Sequence, residues 1–206
     1  MPSDLPGLDE TVALVLDHCL TAAPTLGTGR FVCVDGPAGS GKTTLGEALL
    51  EGARRLVPSV SLVHMDDLYE GWHGLGQVAD RVREGIVVPL QAGEPGRYRR
   101  WDWFADGWAE ERIVDPVALL VLEGVGSAAL EYDAAVTTRV WVEAPRDLRL
   151  ERGLERGGEA MRANWEEWQV TEIEVLTAHR TRERADVIVD GTGHAPARLA
   201  RPPTAG

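Results

Sequence analysis

The sequence is short of cysteine, of lysine and of long apolar runs, and each shortage excludes a class of protein. Its two cysteines, Cys19 and Cys33, stand in a predicted helix and a predicted buried strand without metal-ligand spacing. Such cysteines are typical of small buried hydrophobic residues in a reducing compartment. No apolar run approaches the roughly 20 residues of a membrane span, and no signal-peptide pattern opens the chain. We therefore expect a cytoplasmic protein without a membrane partner.

Excess positive charge is also lacking. The 206 residues carry 21 Lys and Arg against 33 Asp and Glu, a formal net charge of −12. Binding to a nucleic-acid backbone is driven largely by basic side chains that displace counterions, so we expect no nucleic-acid partner. With 44% hydrophobic and 26% charged residues, the composition is typical of a globular protein, and the length suits one domain, 1–206.

The single lysine, against 20 arginines, lies in a motif with a specific chemical meaning. Residues 36–43 fit the pattern G-x-x-x-x-G-K-[ST], after a predicted strand over 31–35 and before apolar residues at helical spacing. Glycines let successive backbone N–H groups point at one anion, and the helix adds its positive end. The predicted nucleotide-binding residues are Gly36, Pro37, Ala38, Gly39, Ser40, Gly41, Lys42, Thr43 and Thr44.

This motif predicts ATP as the ligand and Mg²⁺ as its companion ion. Lys42 would reach the β- and γ-phosphates, and the Thr43 hydroxyl would hold Mg²⁺. A glycine-rich turn without a ligand is the alternative interpretation. The retained lysine argues against it, because a compact ammonium suits a site among phosphates where a guanidinium does not.

Acidic residues follow two other predicted strands. Asp66 and Asp67 come after the strand 59–65, in which we interpret His64 as structural, and Glu123 ends the strand 117–123. Ligands of a parallel sheet bind beyond the carboxyl ends of its strands, so these carboxylates should face the phosphate loop. Asp66 could accept a proton from an attacking hydroxyl, and Glu123 could order water around Mg²⁺ or hold substrate. The alternative for Asp66 and Asp67 is an acidic turn that caps the next segment.

Arginines alternate with aromatic residues over 97–103. This pattern can stack on a planar ring and hold hydroxyl or phosphate oxygens. Single-stranded nucleic-acid binding and a packed tryptophan cluster rimmed by arginine are the alternatives. The segment 104–112 is predicted to be helical.

A helix predicted from Pro145 carries Arg149, Arg152 and Arg156 on one face, before Gly157, Arg162 and a long helix over 164–181. Clustered arginines beside a glycine hinge predict a lid, about 149–165, that closes over the transferring phosphoryl group. Pairing of these arginines with neighbouring glutamates on a solvated face is the alternative. We also expect a helix over 9–22 within an N-terminal extension, 1–29, and a flexible tail, 194–206.

Taken in chain order, these segments resemble the uridine kinase-like P-loop kinases over about residues 30–192. Strands alternating with helices already predict a parallel sheet with right-handed crossovers. The resemblance is carried by the phosphate loop, the arginine helix and the segments Asp66-Asp67-Leu68-Tyr69, Leu122-Glu123-Gly124-Val125 and Ala185-Asp186-Val187-Ile188-Val189. It implies a P-loop NTPase-type three-layer α/β/α fold with a five-stranded parallel sheet, order 2-3-1-4-5, and a helical lid.

The resemblance also implies roles for individual residues. MgATP would be the donor, Asp66 the base, and Lys42 with the lid arginines Arg152, Arg156 and Arg162 would hold the phosphates. Residues on the acceptor side would be Asp67, Tyr69, Tyr98, Arg99 and Glu123, the last also near the metal with Thr43. The lid departs from the family pattern, since glycine follows both Arg152 and Arg156 where the family has Arg-Arg and Arg-Asp pairs.

The sequence thus predicts an ATP- and Mg²⁺-dependent kinase that phosphorylates a hydroxyl of a small metabolite, a nucleoside such as uridine or cytidine. A nucleoside-monophosphate or other small-alcohol kinase is an alternative. A regulatory module that binds ATP without an acceptor is the alternative from another class. Members of the family often assemble, so a homo-oligomer is compatible with the resemblance.

Overall fold

The computed structural model describes residues 7–200, in which a mostly parallel sheet carries helices on both faces. The strands are β1 (Arg30–Asp35), β2 (Val60–His64), β3 (Gly96–Asp102), β4 (Gly107–Val114), β5 (Leu119–Glu123), β6 (Thr138–Glu143), β7 (Val187–Asp190) and β8 (Arg198–Leu199). The α-helices are α1 (Leu8–Thr21), α2 (Lys42–Ala53), α3 (Val78–Val82), α4 (Val88–Gln91), α5 (Arg146–Gly157), α6 (Arg162–Ala178) and α7 (Thr181–Arg184). Short 3₁₀ turns cover Met65–Asp67, Gly71–Gln77, Leu130–Ala135 and Glu159–Met161, and a π-helical turn covers Arg83–Val87.

The order of the main sheet is β2-β5-β1-β6-β7-β8, and its first five strands are parallel. If these five strands alone are numbered 1 to 5 in chain order, their order in the sheet is 2-3-1-4-5, as predicted. The predicted fold class is therefore confirmed. The difference is β8, a short strand that pairs antiparallel with β7 at the edge.

Two hydrophobic clusters sandwich this sheet. Every residue of β5 is buried, as expected for a central parallel strand covered on both faces. On one face α1 and α2 bring Leu16 and Leu49 against Val32 and Val121, and on the other Leu75 and Trp168 belong to the cluster of Leu122. Both cysteines are buried free thiols, as predicted.

The segment 104–112 is not helical, so that prediction was wrong. Strands β3 and β4 form an antiparallel hairpin outside the main sheet. Trp101 packs edge-on against Trp108 with ring centroids 5.0 Å apart, and cross-strand ion pairs such as Arg97–Glu111 line the exposed face. Cross-strand pairs of these kinds stabilise sheets, and they override the local helical spacing.

The two ends of the chain agree with the predictions only in part. The helix α1 lies within one residue of the predicted bounds at each end. Within the predicted flexible tail, Arg198 and Leu199 pair with β7, whereas residues 201–206, like residues 1–6, lie outside the described part of the chain. Among residues 7–200 no helix is long and apolar enough to cross a membrane.

Candidate active site

A cavity of about 610 Å³ opens at the carboxyl ends of β2 and β5, beside the loop that follows β1. This is the edge at which ligands bind in parallel α/β sheets. Its walls combine the phosphate loop with two acids, one arginine and a group of aromatic residues. The residues that line the cavity include Ala38, Gly39, Gly41, Lys42, Thr43, Thr44, Asp66, Tyr69, Trp72, Trp103, Glu123, Arg156, Trp165 and Trp168.

The loop between β1 and α2 has a conformation that only glycine allows at key points. Gly36 has a φ of +143°, and a Cβ there would lie 2.1 Å from the Val142 carbonyl oxygen. Gly39 has a φ of +80°, and a Cβ there would lie 2.5 Å from the Arg149 carbonyl oxygen. The loop leads into the amino end of α2 at Lys42. Backbone N–H groups and the helix dipole therefore converge on the cavity, a geometry that suits a phosphate group.

Asp35 is a site residue that the sequence interpretation missed. Its buried carboxylate accepts hydrogen bonds from the backbone N–H groups of Gly36 at 2.7 Å, Gly126 at 2.8 Å and Ala128 at 3.0 Å. Burial raises the pKa of Asp35, and the three N–H donors act against that rise. The carboxylate ties the start of the phosphate loop to the segment after β5. The only signal in the sequence was an acid at the end of an otherwise apolar strand.

Lys42 is almost completely buried at the start of α2, with 7% of its surface exposed. Its Nζ donates a hydrogen bond to the Pro37 carbonyl oxygen at 3.0 Å. Burial lowers the pKa of Lys42, and the carboxylates of Glu123 and Asp35 act in the opposite direction. The Pro37 carbonyl oxygen thus holds the ammonium against the loop, where the phosphates of a nucleotide would meet it.

Thr43, Glu123 and His64 form a chain of polar contacts beside the loop. The Thr43 hydroxyl donates to Glu123 Oε1 at 3.2 Å, and His64 Nδ1 lies 2.6 Å from the same oxygen. That contact with the Glu123 carboxylate raises the pKa of His64, against the opposing effect of burial. The sequence interpretation treated His64 as structural and gave no sign of this contact.

This donor set fits Mg²⁺. Thr43 and Glu123 offer hard oxygen atoms, and Mg²⁺ in nucleotide sites is usually held by one or two protein oxygens together with phosphate and water. Within residues 7–200 no group of three or more His, Cys, Asp or Glu side chains could hold a metal ion by itself. The ion would therefore depend on the phosphates of the nucleotide.

Asp66 lies in the 3₁₀ turn directly after β2, open to the cavity across from the loop. Part of the Asp66 surface is exposed to solvent, yet the protein packed around its carboxyl raises the pKa of Asp66 by desolvation. The Glu123 carboxylate raises that pKa further, and Lys42 lowers it. The turn is held in place from the hairpin, since Trp103 Nε1 donates to the Asp66 carbonyl oxygen at 2.9 Å. A carboxylate whose pKa lies above its usual range, at the wall of a cavity, is suited to act as a general base.

Four tryptophans and a tyrosine form the opposite side of the cavity. We call Trp72, Trp103, Trp165, Trp168 and Tyr69 the aromatic wall. Trp72 is its centre, with ring centroids 5.5 Å from Trp103, 5.8 Å from Trp165 and 6.0 Å from Trp168, all edge-on. Edge-to-face packing of this kind fixes the rings. The wall draws on the segment between β2 and α3, the hairpin and α6, so its assembly depends on tertiary structure.

The three α5 arginines that were predicted to form the lid, Arg149, Arg152 and Arg156, have different surroundings. Arg156 lines the cavity and lies 5.8 Å from the centre of the Trp165 ring. Arg152 donates to the carbonyl oxygens of Gly39 and Gly191, each at 3.1 Å. Arg149 is buried and paired with Glu172 at 2.7 Å. The part of the predicted lid around Arg149 is therefore fixed by its buried ion pair with Glu172. Arg156 is the α5 arginine that lines the cavity.

Comparison with solved structures identifies the fold. One structure, described as a possible uridine kinase from Bacillus stearothermophilus, is 20% identical and superposes with a TM-score of 0.65, covering 89% of this chain and 99% of that one. The chain has the uridine kinase-like P-loop kinase fold. A candidate fructose transport system kinase from Silicibacter sp. TM1040, also 20% identical, gives a TM-score of 0.60 over 84% of this chain and 94% of that one. No protein-family model and no curated protein sequence matches the chain.

Several residues predicted for the acceptor side of this kinase fold lie away from the cavity lining. The Tyr98 hydroxyl donates to Asp67 Oδ2 at 3.3 Å, and Arg99 donates to backbone carbonyls within its own hairpin. Arg162, predicted as a lid arginine, also lies away from the lining and forms an exposed ion pair with Glu159. Tyr69 does line the cavity, through its ring, while its hydroxyl donates to the Val125 carbonyl oxygen at 2.8 Å. Of the residues predicted for the acceptor side, Tyr69 and Glu123 line the cavity, whereas Asp67, Tyr98 and Arg99 are not among its lining residues.

Proposed function

We propose that the chain catalyses ATP- and Mg²⁺-dependent phosphoryl transfer to a hydroxyl of a small, nucleoside-like metabolite. The observation that carries the proposal is the position of Asp66, which faces the phosphate loop across one cavity. A loop alone would support nucleotide binding. A carboxylate opposite the loop supports transfer to an acceptor, because it can accept the acceptor's proton.

On the donor side, the backbone of the loop and the Lys42 ammonium would bind the phosphates, and Thr43 with Glu123 would hold Mg²⁺. When bound, Mg²⁺ neutralises charge on the phosphates and orients them. Asp66 would accept the proton of the acceptor hydroxyl as its oxygen bonds to phosphorus and the bond to the leaving phosphate oxygen breaks. Arg156, which faces the same cavity, would stabilise negative charge on the transferring group.

On the acceptor side, the aromatic wall supports a flat ring as the recognised group. An indole face binds a base by stacking, at about 1–3 kcal/mol per base. A free sugar is recognised mainly through hydrogen bonds, and the wall offers few polar atoms. A nucleoside monophosphate would need further cations, whereas Arg156 is the arginine found in the cavity lining. These features favour an unphosphorylated, ring-bearing alcohol.

The two buried free thiols support a reducing compartment, in line with a cytoplasmic small-molecule kinase. A regulatory module that binds ATP without an acceptor remains the alternative from another class. Asp66 and the aromatic wall argue against it, because such a module needs neither a base nor a ring-binding surface beside its loop.

A panel of acceptors tests the proposal. Purified protein with MgATP is incubated separately with uridine, cytidine, adenosine, ribose, fructose and a nucleoside monophosphate, and ADP formation is measured. We expect turnover with at least one nucleoside, well above the rate with ribose or fructose. Omission of Mg²⁺ or its removal with EDTA should abolish that turnover. ATP binding without acceptor-dependent ADP formation would favour the regulatory module, and turnover only with sugars would contradict the nucleoside-like acceptor.

Replacement of Trp103 by leucine tests the aromatic wall. Trp103 is 40% exposed, so the fold should tolerate the change, but a stacking surface and the hydrogen bond to the Asp66 carbonyl oxygen are lost. We expect the KM of the nucleoside found in the panel to rise about tenfold, the lower part of the range that one stacked base contributes, while the KM of ATP stays nearly constant. The matched control is Phe104→Leu, since Phe104 is the next residue, is fully exposed and does not line the cavity. Equal acceptor KM values for the two variants would show that the hairpin tryptophan does not bind the acceptor.

A further inference from the structure

We propose that Glu172, together with Arg149, is a positioning residue that sets the phosphate loop for nucleotide binding. This inference rests on the proposed function and adds a residue that neither the motif nor the fold assigns. Glu172 lies on α6, far from the loop in sequence, and its side chain has no exposed surface. It acts on the nucleotide only through the loop.

Besides the bond from Arg149 Nε to the Ala144 carbonyl oxygen at 3.1 Å, the contacts of this pair involve one residue of the loop. Glu172 Oε2 accepts a hydrogen bond from the Ala38 N–H at 2.7 Å, and its Oε1 accepts one from Arg149 Nη1 at 2.7 Å. The same Arg149 nitrogen donates to the Ala38 carbonyl oxygen at 3.2 Å. Both polar groups of Ala38 are therefore bound by one buried ion pair, which fixes the directions of the peptide groups on either side of it.

The helix that carries Glu172 also carries part of the aromatic wall. Trp165, Trp168, Gln169 and Glu172 stand at i, i+3, i+4 and i+7 of α6, which places them on one face. Gln169 Oε1 accepts a hydrogen bond from Arg146 Nε at 2.9 Å, which ties the same face to the start of α5. One rigid face thus links the acceptor side of the cavity to the loop that binds the donor.

Stability alone does not account for this arrangement. Removing two charges from water is costly, and a buried ion pair can often be replaced by apolar residues of similar volume without loss of stability. An apolar pair could not bind the N–H and the carbonyl of Ala38. The geometry therefore points to control of the loop conformation, for which small displacements matter because catalytic positioning tolerates little error.

Two double variants separate the positioning role from stability. Arg149→Met with Glu172→Met removes both charges and the acceptor for the Ala38 N–H. Arg149→Met with Glu172→Gln also removes both charges but keeps a side-chain oxygen at residue 172. Glu174→Gln, an exposed change on the same helix, is the control. For each protein, ATP affinity in the presence of Mg²⁺ is measured by calorimetry. Turnover is measured with the nucleoside identified in the panel, and the thermal midpoint is determined as well.

For the Met/Met variant we expect a thermal midpoint near that of the wild type and a loss in kcat/KM on the order of 100-fold, most of it as weaker ATP binding. The Met/Gln variant should recover part of the ATP affinity, and Glu174→Gln should match the wild type. A Met/Met variant that binds ATP with wild-type affinity would overturn the inference. Failure of the wild-type protein itself to bind ATP would instead overturn the proposed function.

The wild-type protein provides a second test that does not depend on the folding of any variant. If Glu172 holds the Ala38 amide as described, that N–H should exchange slowly with solvent hydrogen in the nucleotide-free protein, more slowly than the N–H of Gly39. NMR-detected hydrogen exchange measures both amides. Equally rapid exchange of Ala38 and Gly39 would contradict the inference even if the variants failed to fold.

Discussion

The Asp66→Asn variant is expected to lose turnover by a factor of about 10² to 10⁴ while it still binds ATP. Asparagine has nearly the same shape as aspartate but cannot accept a proton from an acceptor hydroxyl. Asp66 lies across the cavity from the loop, so the change leaves the phosphate-binding backbone intact. The loss should therefore fall mainly on kcat.

The measurement is the rate of acceptor-dependent ADP formation, with ATP affinity determined separately. Asp80→Asn is the control, because Asp80 is an exposed carboxylate on α3 and does not line the cavity. A variant with wild-type turnover would exclude Asp66 as the base.

The pH dependence of the wild-type enzyme provides a further test of the same residue. A general base must be ionised in the free enzyme, so kcat/KM should fall as the pH drops through the pKa of Asp66. Because desolvation and Glu123 raise that pKa, the decline should begin at a higher pH than for an ordinary aspartate of pKa about 3.9. In Asp66→Asn the residual rate should lack this acidic limb. An unchanged acidic limb in the variant would assign the base to another group.

The Lys42→Met variant is expected to lose kcat/KM by a factor of about 10² to 10³, comparable to the removal of one preorganised donor at a centre of developing charge. Lys42 is buried among Glu123, Asp35 and other acids, so its loss leaves the phosphates of ATP facing uncompensated negative charge. We expect the variant to keep its folding stability, because burial already disfavours the charged form of this side chain. Lys42→Arg should also be impaired, since a planar guanidinium cannot occupy the site of a compact ammonium.

Equilibrium binding of MgATP and steady-state turnover measure these losses, and a thermal melt verifies folding. Arg180→Met is a matched control, because it removes one positive charge from an exposed ion pair outside the cavity. If Lys42→Met bound MgATP with wild-type affinity and turned over normally, phosphate binding by this loop would have to be abandoned.

The fold could be predicted to a large extent because its signals are local. Apolar strands that end in a glycine turn or an acid, alternating with amphipathic helices, imply a parallel sheet, and β5 is buried along its whole length as its composition predicts. The hairpin of β3 and β4 escaped prediction because its partners are set by cross-strand pairing. Trp108 stands at helical spacing in the sequence, but in the structure its segment pairs with β3 and its ring packs against Trp101.

The candidate site likewise has a part that could be predicted from the sequence and a part that could not. The loop at 36–43 was evident from sequence because a phosphate cradle is built from consecutive backbone groups, which a short motif specifies. The acceptor side gave no such motif. Tyr98 and Arg99 were predicted to hold the acceptor, yet Arg99 bonds within its own hairpin and the cavity is walled by tryptophans from three separate segments.

By itself, then, the sequence determined a glycine-rich loop with the phosphate-binding motif, its one lysine and an acid directly after β2. Tertiary structure alone decided which arginine faces the cavity, how the aromatic wall assembles, and that Glu172 reaches the backbone of Ala38. The physical reason is distance along the chain. Groups that act through adjacent peptide bonds leave a pattern in the sequence, whereas contacts between residues that are distant along the chain arise only from packing.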